Sequence, residues 1–261
     1  MGKITEALKK AAEDRMERLD KISKVRERKD LIVKKIGESN VDPRIVSYFD
    51  PKALISEQYK ILRTNVLSIN KAKPPKVLVV TSSVHSEGKT ITSLNLGVVL
   101  AQSTQKSRVL VVDADLRRGR VGKYLGVDQE VGLSEILQDK ADINDAIFNI
   151  NVDNLAFIAA GAVPENPAEL LASEKMKRFL SDVKTQFDHI IIDTPPIISV
   201  TDSGIVGAIS DGVLLVIQAG RTQRGIIERA TELLYQAHSK VVGHILTNIE
   251  YHLPEYIYRY L

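Results

Sequence analysis

The sequence predicts an α/β fold in which a mostly parallel sheet carries helices on both faces. From residue 76 onward, apolar runs of strand length alternate with helical segments, which is typical of a parallel sheet buried on both sides. The first run, residues 77–80, continues through a Gly-Lys-Thr turn into an amphipathic segment at 91–101, as in a strand–turn–helix unit. The predicted strands lie near 77–81, 109–113, 155–160, 189–193, 212–218 and 241–247.

Residues 1–50 are expected to form a helical extension and a linker ahead of this sheet. Apolar residues recur there near helical spacing, and residues 1–35 hold 12 Lys and Arg against 7 Asp and Glu. Such a helix either docks on a partner or an anionic membrane face, or stays solvated, and its mixed charges make it a poor nucleic-acid arm. We interpret 37–51 as the linker and 53–69 as a second helix.

The composition narrows the class of protein. The chain of 261 residues is long enough for one α/β domain of about 200 residues and an extension. It contains no cysteine, which excludes disulfides and thiolate metal sites and fits a reducing cytosol. No run approaches the roughly 18 to 20 apolar residues of a membrane-spanning helix, and the charged N-terminus does not resemble a signal peptide. We therefore expect a cytoplasmic protein. We also expect it to bind no nucleic acid, because the charges of the N-terminal arm are mixed.

The Gly-Lys-Thr turn after the first strand is predicted to bind nucleotide phosphates. Backbone N–H groups of such a turn gather at the N-terminus of the next helix, where the helix dipole favours an anion. Lys89 would reach the β- and γ-phosphates, and Thr90 would place its hydroxyl on Mg²⁺. Ser83 stands where the usual pattern has its first glycine, so an ordinary strand-to-helix turn is the alternative. The candidate nucleotide-binding residues are Ser83, Val84, His85, Ser86, Glu87, Gly88, Lys89, Thr90 and Ile91.

Acidic residues end two of the other predicted strands. Asp113 closes one strand and is followed by Asp115, and Asp193 closes another. Because the carboxyl ends of parallel strands converge on the ligand crevice of an open sheet, these acids are expected to meet the phosphates. Carboxylates beside a nucleotide need a cation between them, which implies Mg²⁺ with oxygen ligands. Solvated residues at strand ends are the alternative interpretation.

The C-terminal segment is unusually rich in tyrosine. Four of the eight tyrosines, Tyr251, Tyr256, Tyr258 and Tyr260, fall within residues 251–261. Chain ends are where order is usually lost. We interpret this segment as a mobile tail that accepts phosphate, since a nucleotide site is predicted in the same chain. A packed aromatic terminus is the alternative.

These features together resemble the bacterial tyrosine kinases that accompany capsule and exopolysaccharide export, which have a P-loop fold. The resemblance covers roughly residues 50–261. The matching segments are Ser83–Thr90 as the first nucleotide motif, Val111–Arg117 as the second, acidic motif, Ile190–Asp193 as the third, Pro164–Leu171, and the tyrosine tail. Glu57–Asn65 resembles the family's E-x-x-R-x-x-R-T-N subunit-contact motif, with Lys60 in place of its first arginine.

The resemblance implies an ATP-dependent autokinase whose P-loop domain spans 51–250. According to this resemblance, Asp113 orients or deprotonates the incoming tyrosine hydroxyl. That hydroxyl has a pKa near 10 and is a weak nucleophile at neutral pH. The implied catalytic residues are Lys89, Asp113 and Asp115, the implied Mg²⁺ ligands are Thr90, Asp115 and Asp193, and the implied phosphate acceptors are Tyr251, Tyr256, Tyr258 and Tyr260.

The resemblance also implies an assembly. Glu57, Lys60 and Arg63 would be contacts between subunits of a closed ring, in which each tail enters the next active site. A separate integral-membrane activator would recruit the protein to the inner face of the membrane and couple it to polysaccharide export. Arg117 and Arg118 either clamp phosphate or pair across an interface.

Two other functions stay open at this point. Plasmid-partition and division-site ATPases share the fold, but they carry a lysine early in the loop, where this chain has Val84. A nucleotide-binding assembly subunit that transfers no phosphate is the other alternative, because His85 and Ser86 replace the Pro-Gly pair that is usual in the kinase family.

Overall fold

The computed structural model describes residues 34–35, 40–70, 74–103 and 106–249, and all of them belong to one compact unit, Ile32–Leu261. The predicted N-terminal helix and the tyrosine tail at 251–261 lie outside the described residues. None of the helices in the described ranges is long and apolar enough to cross a lipid bilayer.

The described residues form eight strands and ten helices. The strands are β1 (Lys34–Lys35), β2 (Val77–Ser82), β3 (Val109–Asp113), β4 (Ile147–Asn149), β5 (Leu155–Ile158), β6 (His189–Asp193), β7 (Gly212–Gln218) and β8 (Val241–Thr247). The helices are α1 (Val46–Phe49), α2 (Leu54–Ser68), α3 (Lys89–Ala101), α4 (Val121–Leu125), α5 (Leu133–Leu137), α6 (Ile143–Ala146), α7 (Pro167–Ala172), α8 (Glu174–Gln186), α9 (Asp202–Ala208) and α10 (Arg224–Gln236).

The strands form a single sheet in the order β1-β4-β5-β3-β6-β2-β7-β8. Only the β4–β5 pair is antiparallel within the described sheet. The six strands predicted from the sequence are confirmed, and they form the continuous parallel run from β5 to β8. β1 and β4 were not predicted, because runs of two and three residues carry no measurable alternation of apolar and polar positions.

The central strands are buried on both faces, as expected for a parallel sheet covered by helices. Val111 and Ile191 are partners across β3 and β6 and belong to the core cluster that includes α3. Their neighbours Val112 and Ile192 point to the opposite face and are also fully buried. The predicted α/β fold with helices on both faces is therefore confirmed.

Close packing holds α3 directly on the sheet. A Cβ atom at Gly97 would lie 2.7 Å from Cγ2 of Val111, so only glycine allows the helix to come this near to β3. Helix α2 packs on the outer side of α3, where the Arg63 guanidinium donates a 2.7 Å hydrogen bond to the carbonyl of Val99. The N-terminus of α3 is thereby fixed over the carboxyl ends of the strands.

Part of the segment that we expected to be a linker packs against α3. Ile45 is fully buried, and α1 follows it. The backbone N–H of Ser47 donates to the Asn95 side chain at 2.9 Å, and the Asn95 amide donates to the carbonyl of Arg44 at 3.0 Å. The packed domain therefore includes residues before 51. The Asp-Pro pairs at 42–43 and 50–51 favour a linker, but they do not reveal these contacts with a distant helix.

Candidate active site

The loop between β2 and α3 has the backbone of a phosphate-binding turn. Ser86 has φ 66° and Gly88 has φ 93°, so the chain passes twice through the left-handed region before α3 begins at Lys89. The first N–H groups of an α-helix have no partner within the helix, and the helix dipole makes that end attractive to anions. The predicted strand, turn and helix are thus in place.

A cavity of about 260 Å³ lies at this helix N-terminus. Six of the nine predicted nucleotide-binding residues line it: His85, Ser86, Gly88, Lys89, Thr90 and Ile91. Ser83, Val84 and Glu87 do not line it, and Ser83 and Glu87 are buried behind the loop. A larger hollow of about 550 Å³, beside Pro164 and Glu165, contains none of the predicted site residues.

Glu87 acts as an internal brace of the loop. Its carboxylate accepts a 2.8 Å hydrogen bond from the backbone N–H of Val84, which closes the turn. The same carboxylate accepts hydrogen bonds from the N–H of Gln218, the last residue of β7, and from the Thr222 hydroxyl beyond it. The loop is therefore tied to the neighbouring strand end through a side chain, a role that the sequence pattern does not indicate.

Lys89 lies between two of the strand-end acids. Its ammonium is 3.1 Å from Oδ2 of Asp115 and 3.8 Å from Oδ2 of Asp193. Burial alone would lower the pKa of Lys89, but the charges of Asp193, Asp115 and Asp113 outweigh burial and raise it. Lys89 is therefore a permanent cation at the mouth of the phosphate-binding turn.

The first turn of α3 is bonded to the end of β6. The Thr90 hydroxyl donates to Oδ2 of Asp193 at 2.6 Å, and the Ser93 hydroxyl approaches Oδ1 at 3.2 Å. Burial raises the pKa of Asp193, while Lys89 and Thr90 act in the opposite direction. The sequence predicted that acids at the ends of separate strands lie next to the phosphate-binding turn. This geometry is consistent with that prediction.

The oxygen donors of this network fit a divalent cation. Three buried carboxylates, Asp113, Asp115 and Asp193, face a single ammonium, that of Lys89, so negative charge is in excess. Within the described residues no cluster of three or more His, Asp or Glu side chains is arranged to hold a metal alone. Mg²⁺ commonly takes one or two carboxylates and completes its shell with water and phosphate oxygens, so Thr90, Asp115 and Asp193 are suitable protein donors.

Asp113 is more constrained than the sequence suggested. One carboxylate oxygen accepts the backbone N–H of Asp115 at 3.0 Å, and the other accepts those of Arg120 and Val121 at 2.7 and 2.9 Å. Burial raises the pKa of Asp113 to about 7, and the charge of Asp193 adds to this effect. The side chain therefore shapes the loop after β3 and also has the proton affinity of a base that works near neutral pH.

Arg117, for which the sequence left two roles open, pairs within its own chain. Its guanidinium forms two hydrogen bonds with Asp202, at 2.9 and 3.2 Å. Asp202 is fully buried at the start of α9, whereas the Arg117 side chain is 39% exposed. The pair connects the loop after β3 to the segment after β6, beyond the strand ends that carry Asp113 and Asp193.

We expect Arg117→Ala to lower the free energy of unfolding by about 2 kcal/mol, because it leaves the buried carboxylate of Asp202 without its partner. Urea denaturation followed by circular dichroism would measure the change. Arg178→Ala, on the exposed face of α8, is the matched control. A loss no larger than that of the control would show that the pair contributes nothing to stability.

The predicted subunit contacts lie on α2. The Lys60 ammonium is 2.7 Å from Glu57 and also donates to the carbonyl of Pro51, and both side chains are accessible. Arg63, in contrast, is engaged with Val99 of α3. Arg63 therefore has a structural role within one chain, which its helical spacing with Glu57 did not indicate.

Three residues that the sequence did not assign to the nucleotide site line the same cavity: Arg44, Arg120 and Tyr124. Arg118, for which the sequence left open a phosphate clamp or an interface contact, lines it as well. Arg44 lies 5.0 Å from the centre of the Tyr124 ring, and its hydrogen bonds hold the pKa of Asp42 at about 2. Arg120 lies three positions after the acidic motif, and that position was the only signal for it in the sequence. The cavity thus has a basic rim.

The comparisons with known proteins agree with this geometry. Residues 76–241 match the family described as AAA domain. Tyrosine-protein kinase YwqD of Bacillus subtilis is 36% identical over 216 residues, which cover 83% of this chain and 90% of that protein. Putative tyrosine-protein kinase CapB of Staphylococcus aureus is 34% identical over 81% of this chain and 92% of its own length.

The solved kinase domain of Escherichia coli tyrosine kinase ETK superposes with a TM-score of 0.74 at 28% identity, covering 86% of this chain and 95% of that domain. Sequence relatives and structural neighbours thus agree, and the described site has the lysine, threonine and strand-end acids of a P-loop fold that binds a nucleotide with a divalent metal. The chain belongs to the bacterial tyrosine-protein kinases, and it is a protein-tyrosine kinase.

Proposed function

We propose that this kinase transfers the γ-phosphoryl group of ATP, bound with Mg²⁺, to tyrosines of its own C-terminal cluster. The observation that carries the proposal is the network joining Lys89 and Thr90 to Asp115 and Asp193 at one cavity. It is supported by the four tyrosines, Tyr251, Tyr256, Tyr258 and Tyr260, in the same chain.

In this proposal the residues divide the work of phosphoryl transfer. The N-terminus of α3 and Lys89 hold the β- and γ-phosphates, and Thr90, Asp115 and Asp193 hold the metal. Bound Mg²⁺ would neutralise charge on the phosphate oxygens. Asp113 positions the tyrosine hydroxyl and accepts its proton, for which a pKa near 7 is suited. Alignment and charge neutralisation are the main requirements of this reaction.

Incubation of the purified protein with Mg-ATP tests the proposal against its alternatives. Transfer predicts that phosphotyrosine and ADP both accumulate. A switch ATPase would release ADP and phosphate without phosphotyrosine, and a non-catalytic assembly subunit would bind nucleotide and produce neither. The second or third result would overturn the proposal. Lys177→Met, on the exposed face of α8, is the control for losses of activity that come from purification or from altered stability.

We further propose that the kinase regulates capsule or exopolysaccharide polymerisation and export, at the inner face of the membrane, with a separate integral-membrane activator.

Helix α2 supports the proposal of a ring assembly, because Leu54, Ile55 and Ile61 are 47%, 54% and 53% exposed on the same helix as the accessible Glu57–Lys60 pair. Large apolar side chains that are exposed together often mark an interface. Each tail would then enter the active site of the next subunit, because the ring keeps the tail near that site and so raises its effective concentration there.

Phosphorylation is expected to dissolve this ring. Each phosphotyrosine adds about −1.5 to −2 charges, so a phosphorylated tail is repelled by the acids of the site. Multi-angle light scattering should therefore find a larger particle for Lys89→Met than for wild-type protein after Mg-ATP.

Glu57→Ala, carried on Lys89→Met, tests the contact itself and should give the smaller particle. We use it in place of a change at Arg63, because Arg63 also holds α2 on α3. Lys177→Ala on the same background is the control and should remain large. Equal masses for all these proteins would reject the coupling between phosphorylation and assembly.

A further inference from the structure

Two arginines on the rim of the cavity have no role in the nucleotide and metal site described above. Arg118 and Arg120 are exposed and line the cavity together with Lys89 and Asp115. In the described ranges, neither guanidinium forms a hydrogen bond or an ion pair with another residue. The nearby Arg117, in contrast, is paired with Asp202.

Their backbones are held by Asp113, the last residue of β3, and by Asp115 in the loop that follows. The N–H of Arg118 donates to Asp115 at 3.0 Å, and the N–H of Arg120 donates to Asp113 at 2.7 Å. Arg120 is thus anchored to the side chain that is proposed to receive the tyrosine proton, and Arg118 is anchored to Asp115, two positions further along the chain. The nucleotide phosphates, in contrast, have the separate donors of the loop between β2 and α3. The two guanidinium groups, which follow Asp113 and Asp115 along the chain, are therefore available to contact the acceptor.

The acceptor cluster carries matching charges at two of its four tyrosines. Glu250 directly precedes Tyr251, and Glu255 directly precedes Tyr256. The other two tyrosines follow an isoleucine and an arginine, at 257 and 259. Neighbouring side chains of an extended peptide point to opposite faces. A glutamate before a tyrosine that enters the cavity would therefore point outward, toward long side chains on the rim.

We propose that Arg118 and Arg120 form an acceptor subsite that binds the carboxylate of a glutamate immediately before the acceptor tyrosine. The guanidinium fork matches a carboxylate with two parallel hydrogen bonds, which gives selectivity as well as attraction. Tyr251 and Tyr256 are then the preferred acceptors within the cluster. This inference rests on the proposed transfer to the tail and adds to it the rule by which tyrosines are chosen.

The test measures transfer between complete chains. The enzyme is wild type or Arg118→Gln/Arg120→Gln, and the acceptor is an isotope-labelled Lys89→Met chain with or without Glu250→Gln/Glu255→Gln. Mass spectrometry distinguishes the acceptor from the enzyme and gives an initial rate at each tyrosine. The KM for ATP and the KM for the acceptor are measured separately, and Arg178→Gln on α8 is the matched enzyme control.

The arginine variant is expected to slow transfer to Tyr251 and Tyr256 by about threefold to tenfold, the range for losing exposed charge-assisted contacts. The loss should be in the KM for the acceptor, with the KM for ATP unchanged. The glutamate changes should produce the same loss, and combining the two sets should add nothing further, as expected when both remove one interaction.

Three results would overturn the inference while leaving tail phosphorylation intact. They are equal rates at all four tyrosines with wild-type enzyme, a raised KM for ATP in the arginine variant, and losses that multiply when both sets of changes are combined. The second would assign the arginines to nucleotide binding. Absence of phosphate on every tail tyrosine with wild-type enzyme would instead overturn the proposed function, and the inference with it.

Discussion

Lys89→Met is expected to abolish both nucleotide binding and phosphorylation of the tail tyrosines. The variant loses the cation that is proposed to contact the β- and γ-phosphates. It also leaves Asp115 and Asp193 facing the phosphates without the ammonium that now lies between them at 3.1 and 3.8 Å. Attraction is thus replaced by repulsion in a poorly solvated site, where charge interactions are strong. Isothermal titration with Mg-ATP and immunodetection of phosphotyrosine measure the two losses.

Folding must be separated from binding in this experiment. Lys89 neutralises buried acids, so its loss also raises the cost of burying them. Thermal unfolding of Lys89→Met shows whether the domain remains folded, and Lys177→Met is a control that removes a surface lysine of α8. A folded Lys89→Met protein that binds Mg-ATP and makes phosphotyrosine at the wild-type level would refute the site assignment.

Asp113→Asn should separate binding from transfer. Nucleotide is expected to bind at least as well as to wild type, since the change removes a carboxylate near the polyphosphate. Transfer should fall by about 10²-fold or more, as expected for the loss of a positioned base. Single-turnover phosphorylation with saturating Mg-ATP measures the chemical step, and titration measures binding.

The three backbone hydrogen bonds to Asp113 call for a second variant. Asparagine keeps one acceptor oxygen for the N–H groups of residues 115, 120 and 121, whereas alanine keeps none. If Asp113 is the base, both variants should lose transfer to a similar extent, and alanine should lose more stability. Asp153→Asn in an exposed loop is the control. Normal transfer by Asp113→Asn would show that Asp113 only shapes the loop.

The sequence was most informative where local pattern and function coincide. The central strands could be predicted because every residue of β2 and β3 is buried, which produces continuous apolar runs. The meeting of Lys89 with acids of other strands followed from a general property of parallel sheets, whose carboxyl ends share one edge. These inferences needed no knowledge of particular long-range contacts.

Other features depend on partners that are distant in the sequence. Ile45 is buried in the core, and Asn95 of α3 forms hydrogen bonds with the backbone on both sides of it. Glu87 braces its loop through Thr222, 135 positions away. The Arg117–Asp202 pair spans 85 positions. No periodicity or motif encodes such pairs. The sequence therefore shows that Glu87, Arg117 and Asp202 are charged, but it does not show which distant residues they bind.

Site mapping by mass spectrometry after incubation of the 261-residue chain with Mg-ATP shows directly whether the kinase phosphorylates its own tail. We expect phosphate on tyrosines of the cluster between 251 and 260 in wild-type protein, and none there in Lys89→Met treated in the same way. Phosphate confined to tyrosines outside the cluster, or equal labelling of the two proteins, would contradict it.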